Sequence, residues 1–258
     1  MDYKKIWFKI SFIVKAIRNA KSAGFDALDA DLMVGLPTQT LSDVGDDIGK
    51  LIALGPNEIT IHPLGLKNGT PMYSLLKDNP NIFPSQESGF LMRVVAQECL
   101  TNGGYAMWLP KHYGLQNGRR FRYETLRRDP KNNLVVAGLS SSGYYNGFQY
   151  GNVRDFSDYY AAIDEGALPL LAGVKVSGDE HMRRWMIMGL RTPEGVNIKS
   201  FTREFGVSPK EVFPKELSEL ESQGVVVAGV DSLRCSKIGM YFADYAATRF
   251  ISDDVSGN

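Results

Sequence analysis

Helical and strand-like spacings of apolar residues alternate along the first third of the chain. They predict a helix to about Ala23, a strand over residues 28–34, a helix over 41–54 and a strand over 58–64. The connections between these elements are short, and a Gly-Pro-Asn turn precedes the second strand. This order implies parallel strands joined by crossover helices, as in an α/β layer or part of a barrel.

A further helix and strand complete the predicted first domain. Ser85 is placed to cap a helix whose apolar stripe runs to a Gly-Gly pair, and residues 105–109 are predicted as the next strand. The sequence changes after Tyr113, where it becomes basic and loop-like. The pattern therefore predicts two domains, residues 1–113 and 114–258.

The second predicted domain is rich in helices. Its predicted elements are a short strand over 134–137, a small β-ribbon that begins near Gly224, and helices over 156–165, 179–190, 198–205, 209–223 and 240–250. Two helices followed by a ribbon, as at the end of the chain, are typical of a winged-helix module.

Composition and charge narrow the class of protein. The chain has 258 residues, 43% of them hydrophobic, which is enough to bury a sizeable core. Its 29 basic and 29 acidic residues cancel, so no global field favours nucleic acid or an anionic membrane. No apolar run reaches the length of about 18 residues that crosses a bilayer. Two cysteines without a secretory leader predict a cytoplasmic setting.

The stretch DADLMVGLPTQT, residues 29–40, is the part least easily explained by packing. Asp31 is a carboxylate within an apolar run, which is costly unless the charge is paired or lies at the mouth of a strand. The turn at Gly35 leads into a helix start, where backbone N–H groups can bind an anionic ligand. A local salt bridge for Asp31 and an ordinary strand-to-helix turn are the alternatives.

Several motifs occur in an order that resembles one enzyme family. DLMVGLPTQT is followed by EITIHPLGLKNGTPMY at 58–73, GLSSSGY at 138–144 and MIMGLR at 186–191. This set resembles the radical S-adenosylmethionine (radical SAM) family of oxygen-independent coproporphyrinogen III oxidase and its haem-related relatives. The resemblance covers roughly Ala20 to Phe250. It implies the C-terminal part of a radical SAM partial (β/α) barrel followed by an α-rich, winged-helix-like C-terminal domain.

The resemblance also implies roles for individual residues. Contacts to S-adenosyl-L-methionine are implied for Asp31, which would meet the ribose, and for Met33, Gly35 and Pro63. Contacts to a porphyrin or haem are implied for Gly138, Ser140, Gly143, Tyr144 and, in the basic stretch, Arg122. Thr38 stands where the family usually has glycine, so a close backbone approach at that point is not expected.

One departure from the family concerns the mechanism. Radical cleavage of S-adenosyl-L-methionine needs a [4Fe–4S] cluster held by three clustered cysteine thiolates. Cys99 and Cys235 lie far apart and are better explained as small core residues. The sequence therefore predicts a truncated relative that acts on or binds a tetrapyrrole without autonomous radical chemistry. The alternative is a non-catalytic partner that completes a separate cluster-bearing chain and covers the apolar stripe beginning at Ile6.

Three other candidate sites are open to simpler interpretations. The three histidines lack ligand-like spacing, so no metal site is predicted. A haem ligand is less implausible than a zinc site, because His62 lies at a predicted strand end and His112 follows Trp108, although a single histidine at a strand end is more often an ordinary hydrogen-bonding residue. The basic stretch from Arg119 to Lys131 suits RNA, porphyrin propionates or a solvated loop. The second helix of the winged-helix-like segment has four glutamates against two lysines, which disfavours nucleic acid as a partner.

Overall fold

The structure is a computed structural model that describes residues 10–252 and divides the chain after Phe121 into two units. The predicted boundary was 113/114. The unit extends further because a strand at 112–115 joins the first sheet and the Phe121 N–H donates to the Glu58 carboxylate. The apolar stripe predicted to begin at Ile6 starts outside the described residues. Within the described part, Ile17 is buried in the core of the first unit, whereas Ile13 is exposed.

The first unit has four strands and four α-helices in its described part. The strands are β1 (Asp29–Val34), β2 (Glu58–Pro63), β3 (Tyr105–Leu109) and β4 (His112–Leu115). The helices are α1 (Ile10–Ser22), α2 (Leu41–Leu54), α3 (Pro71–Asp78) and α4 (Gln86–Asn102), with a 3₁₀ turn at Pro80–Ile82.

The sheet of the first unit has the order β1-β2-β4-β3. β1 and β2 are parallel, as predicted, and α2 is the crossover between them. α2 starts with a capping box in which Thr40 and Asp43 exchange hydrogen bonds, and it ends at Gly55 in the left-handed region with φ 60°. β4 pairs antiparallel with both β2 and β3 and was not predicted from the sequence.

Alternation along β1 and β2 gives the sheet two unlike faces. Val34, Ile59 and Ile61 are buried on one face against α2 and α4. Asp31 pairs in register with Thr60 and Met33 with His62, which places polar side chains of both strands on the opposite face. The residues that could meet a ligand therefore share this second face.

The second unit begins with a helix and an antiparallel sheet. Its first elements are α5 (Arg122–Arg128), β5 (Ser142–Tyr145), β6 (Phe148–Asn152), α6 (Phe156–Asp164) and β7 (Leu170–Lys175). The sheet has the order β5-β6-β7. Of the strand predicted over 134–137, only an isolated bridge between Leu134 and Tyr144 forms, because Gly138 with φ 100° turns the chain away.

The remainder of the second unit is a helical core with a small sheet. Its elements are α7 (Gly178–Gly189), β8 (Val196–Asn197), α8 (Ile198–Phe205), α9 (Pro209–Val212), α10 (Pro214–Ser222), β9 (Val226–Ala228), β10 (Ser232–Cys235), a 3₁₀ turn at Gly239–Phe242 and α11 (Ala243–Thr248). β10 is the central strand, between β8 and β9.

Aromatic and sulfur-containing side chains fill the core of this part. Trp185, Met186, Phe201, Phe213 and Phe250 are all buried. Phe213 and Phe250 meet edge to face with ring centroids 5.2 Å apart, and Trp185 meets Phe201 in the same manner at 6.0 Å. These contacts hold α7, α8 and the end of the chain together.

Two predicted helices of this part are divided in the structure. The helix predicted over 209–223 breaks at Phe213 because Pro214 has no backbone N–H to continue it, so α9 and α10 are separate. The helix predicted over 240–250 is a 3₁₀ turn followed by α11. Within residues 10–252, none of the helices has both the length and the apolar character needed to cross a membrane.

His181 makes the stability of this core depend on pH. Its ring lies edge-on to Phe205, 5.2 Å between centroids, and burial lowers the pKa of His181 from its usual value of 6.5 despite the opposing effect of Glu204. The unfolded chain therefore binds more protons below about pH 6.5, and stability decreases as the pH falls through that value. We expect the melting temperature to fall between about pH 7.5 and about pH 5.5, and His181→Gln to reduce that slope. An equal reduction in a His62→Gln control, or none in His181→Gln, would contradict this assignment.

Candidate ligand-binding site

The polar face of the first sheet carries an exposed acid–base pair at Asp31. Its Oδ1 lies 3.4 Å from Nε2 of His62, and the Asp31 side chain is 71% exposed. Met33 is exposed on the same face, and Pro63 pairs in register with Val34 at the end of the strands. The structure thus brings Asp31 and Met33 to one open surface, with His62 as a neighbour that sequence spacing did not indicate.

The turn after β1 uses its donors internally. Gly35 adopts φ 88°, and the N–H groups of Gly35 and Leu36 both donate to Oε1 of Gln39, at 2.8 and 3.2 Å. The side chain of Gln39 therefore closes the turn. These two N–H groups are directed at Gln39 rather than toward a ligand.

Thr38 has an unusual conformation in this turn. Its φ is 63°, in the left-handed region, and its N–H donates to the Ile82 carbonyl at 2.7 Å. A β-branched residue is strained there, whereas glycine is not. The backbone conformation gives a physical reason for the glycine that the family resemblance implies at this position.

Four arginines converge on a cavity of about 210 Å³ in the second unit. Arg127 and Arg128 come from the end of α5, and Arg184 and Arg191 from α7 and the turn that follows it. The polar side of the cavity is completed by β5 and β6, through Ser142, Gly143, Tyr144 and Gln149.

Three of the four guanidinium groups have acidic partners. Arg127 and Arg128 both pair with Glu124, and Nε of Arg191 lies 3.2 Å from Asp244. Two carboxylates thus face four guanidinium groups at this cavity. The surplus of positive charge favours an anion.

Arg184 has no acidic partner within residues 10–252. Its guanidinium lies 3.9 Å from the centroid of the Tyr144 ring, and its buried Nε makes no hydrogen bond in the described part of the chain. Burial lowers the pKa of Arg184. A half-buried guanidinium without a counter-ion is a strong attractor for a carboxylate or phosphate.

The arginine cavity continues onto an open surface of the same sheet. A shallow depression of about 340 Å³ shares Ser142 and Gln149 with the cavity and extends over the small residues Ser140, Gly151 and Ala172. A flat ligand with an acidic edge would have both an anion site and a smooth surface here.

The residues that the sequence assigned to the tetrapyrrole are partly brought together. Ser140 lines the depression, and Gly143 and Tyr144 line the arginine cavity. Gly138 lines neither the cavity nor the depression. Its N–H donates to the Tyr159 hydroxyl, and its carbonyl accepts from the Asn152 side chain.

Of the residues predicted to contact the tetrapyrrole, Gly143 is also explained by packing and Arg122 lies on the surface. A Cβ on Gly143 would lie 2.7 Å from the Leu134 carbonyl oxygen, so glycine is required there by packing as well. Arg122 is exposed at the start of α5 and lines neither the cavity nor the depression.

A larger apolar cavity lies on the other face of this sheet, beneath α6. It measures about 710 Å³ and is lined by aliphatic and aromatic residues that include Phe148, Ile163 and Leu168. No arginine or lysine lines it. It suits an uncharged apolar group.

The two cysteines do not form a cluster site. Cys99 lies on α4 of the first unit and Cys235 on β10 of the second. Burial raises the pKa of Cys235 to about 11, and its Sγ donates to the Leu190 carbonyl. A buried thiol of this kind is a poor thiolate ligand, so the residues present do not fit a [4Fe–4S] cluster.

Two arginines of the cavity come from α7 and the turn that follows it. This part of the chain matches a known protein family. Residues 176–242 match the HemN C-terminal domain family. Arg184 and Arg191 lie within the matched segment, whereas α5 and the β5-β6-β7 sheet precede it.

Similar proteins extend the resemblance over most of the chain. The heme chaperone HemW of Bacillus subtilis is 25% identical over 223 residues, which cover 83% of this chain and 56% of that protein. HemW of Lactococcus lactis is 22% identical, over 95% of this chain and 63% of that protein. Oxygen-independent coproporphyrinogen III oxidase of Thermostichus vulcanus is 25% identical, over 85% and 71%.

A solved structure shows the same fold. Coproporphyrinogen III oxidase (HemN) from Escherichia coli, described as a radical SAM enzyme, matches with a TM-score of 0.79 at 17% identity, over 95% of this chain and 59% of that one. The predicted α/β fold and the resemblance to this family are confirmed. The chain spans about six-tenths of the length of the two HemW relatives.

The backbone strain at Thr38, in the turn after β1, can be tested by substitution. Replacing Thr38 by glycine removes a Cβ from a left-handed conformation, and we expect stability to rise by about 1 kcal/mol after the added flexibility of the unfolded chain is counted. Thr38→Ala keeps the Cβ and should gain much less. Urea unfolding followed by tryptophan fluorescence measures both variants. A Thr38→Gly variant less stable than the parent would refute the assignment of strain.

Proposed function

We propose that this protein binds a tetrapyrrole through its propionate carboxylates, at the arginine cavity of the second unit. The observation that carries the proposal is Arg184, a half-buried guanidinium beside three other arginines and without an acidic partner in residues 10–252. The names of the similar proteins, heme chaperone and coproporphyrinogen III oxidase, refer to tetrapyrroles. Haem and coproporphyrinogen both carry propionate side chains on a tetrapyrrole macrocycle.

The charges around the cavity suit one or two carboxylates. Arginine binds carboxylates in a bidentate manner, and each charge-assisted hydrogen bond contributes about 1.5–3 kcal/mol when it is sheltered from water. Ser142 and Gln149 add neutral hydrogen-bonding groups at the rim. The adjoining depression, with its small residues, would accommodate the edge of the macrocycle.

Binding is favoured over oxidation as the activity of these residues. A radical SAM reaction needs three closely placed thiolates, and the two cysteines lie on different units, one of them buried with a raised pKa. We therefore propose tetrapyrrole binding or transfer, the activity named for the heme chaperone relatives. A role as the partner of a separate cluster-bearing chain is compatible with the same binding site.

Arg184→Gln tests the proposal directly. Loss of one charge-assisted interaction should weaken binding of haem or coproporphyrin by about 10- to 100-fold, measured from the shift of the Soret band during titration. Arg122→Gln removes the same charge from an exposed position outside the cavity and should leave the affinity nearly unchanged. Esterified haem, whose propionates are neutral, should bind the parent protein as weakly as native haem binds Arg184→Gln.

Three outcomes would contradict the proposal. An unshifted Soret band would mean that haem does not bind. An equal loss in Arg184→Gln and Arg122→Gln would indicate general attraction to positive charge. A loss in Leu168→Asp, which places a charge in the apolar cavity, with none in Arg184→Gln, would place the macrocycle beneath α6 instead.

For S-adenosyl-L-methionine we propose contacts in the first unit at Asp31, Met33 and Pro63, and at Gly35 through groups other than its N–H, which donates to Gln39. Asp31 supports this because its exposed carboxylate has spare acceptor capacity for the two ribose hydroxyls. Met33 offers an apolar surface beside it.

Asp31→Asn tests this cofactor assignment. We expect it to weaken binding of S-adenosyl-L-methionine by about tenfold in calorimetry, since a carboxylate accepts hydroxyl hydrogen bonds more strongly than an amide. Asp47→Asn removes an exposed acid of α2 and serves as the control. No measurable binding to the parent protein, or equal binding by both variants, would exclude the assignment.

A further inference from the structure

The polar face of the first sheet has a second, buried group of side chains at its other end. Asp29 and Glu58 are the first residues of β1 and β2 and are register partners. His112 starts β4 and pairs with Thr60. One carboxylate oxygen from each acid and a ring nitrogen of His112 all lie within 4.8 Å of one another.

Two oxygens of this group lack well-formed hydrogen bonds. Glu58 is only 1% exposed, and its Oε1 accepts from the Phe121 N–H at 2.5 Å. Oδ1 of Asp29 and Oε2 of Glu58 are buried without a well-formed hydrogen bond in residues 10–252. The Trp108 indole N–H and the Arg120 guanidinium are the neighbours of the Glu58 carboxylate, and each also has a buried nitrogen without a well-formed hydrogen bond. Buried carboxylate oxygens are rarely left in this state, so each points to a missing cation or proton.

Thr60 orients the side chains of Asp29 and His112. Its hydroxyl donates to Oδ2 of Asp29 at 2.7 Å and lies 2.9 Å from Nδ1 of His112. Metal-binding carboxylates and imidazoles commonly have such hydrogen-bonded partners, which fix their orientation. The arrangement leaves Oδ1 of Asp29 directed away from Thr60.

The local charge is compatible with a cation. Arg120 passes over Gly114, where a Cβ would lie within 1.6 Å of its Nη1, and attracts the Glu58 carboxylate. Arg120 offsets the charge of Glu58. Asp29, in contrast, lies beside a second carboxylate, Asp31, so the group keeps a net negative charge. Two adjacent carboxylates repel each other there unless a cation or a proton lies between them.

We propose that Asp29, Glu58 and His112 bind a divalent transition-metal ion such as Zn²⁺ or Mn²⁺. One imidazole and two carboxylates form a mixed nitrogen and oxygen donor set, which suits these ions better than the all-oxygen sites of Ca²⁺. The ligands come from three neighbouring strands, so the ion would join β1, β2 and β4 at their ends. The proposal is independent of tetrapyrrole binding, which concerns the other unit.

Calorimetry with the untagged full chain, first freed of metal with a chelator, tests the site. Titration with Zn²⁺ and with Mn²⁺ should show one ion per chain for at least one of them. Glu58→Gln and His112→Asn should each weaken that binding by tenfold or more. Asp47→Asn, which alters an exposed acid of α2, should leave it unchanged.

A second measurement separates loss of the site from loss of the fold. The metal should raise the melting temperature of the parent protein and of Asp47→Asn, but not of the two site variants, whose circular dichroism spectra report whether they are folded. Should His112→Asn fail to fold, Glu58→Gln, which keeps the hydrogen bond to Phe121, decides the question. Absence of saturable binding below millimolar metal, or equal affinity in Glu58→Gln and the parent, would overturn the proposal.

Discussion

The register between β1 and β2 is the constraint on which the first unit depends. Pairing Asp31 with Thr60 puts the carboxylates on one face and Val34, Ile59 and Ile61 on the other. A shift of one residue in either strand would reverse its faces, so that carboxylates would enter the core and aliphatic side chains would face outward. The buried apolar face therefore fixes which side chains share the polar face, both at its exposed end around Asp31 and at its buried end around Glu58.

Local signals explain what the sequence could predict. The alternation of β1 and β2, the capping box of α2 and the left-handed Gly55 are each encoded within a few residues, so this part was predicted closely. The antiparallel strands β4 to β7 are short and rich in glycine and tyrosine, and they are defined by partners rather than by their own pattern. The break at Pro214 has a local cause, a missing N–H, that helix periodicity alone does not reveal.

The candidate sites also differ in whether local sequence indicates them or only the folded structure does. Asp31 and Tyr144 were indicated by motifs that are contiguous in sequence. The role proposed for Arg184 rests on the absence of an acidic partner among residues 10–252, which is visible only when α5, α7 and β5 are in place. Asp29, Glu58 and His112 are far apart in sequence and meet only through pairing with β4, which had no local signal.

Helix α7 contributes side chains both to the arginine cavity and to the helical core. Arg184 faces the cavity, while the next two residues, Trp185 and Met186, are buried in the core. An anion held by Arg184 would therefore be bound only while that core is folded, and the free energy of binding would add to that of folding. Ligand binding should therefore make the helical core around α7 more resistant to local unfolding and proteolysis. Local unfolding of that core should in turn release the ligand.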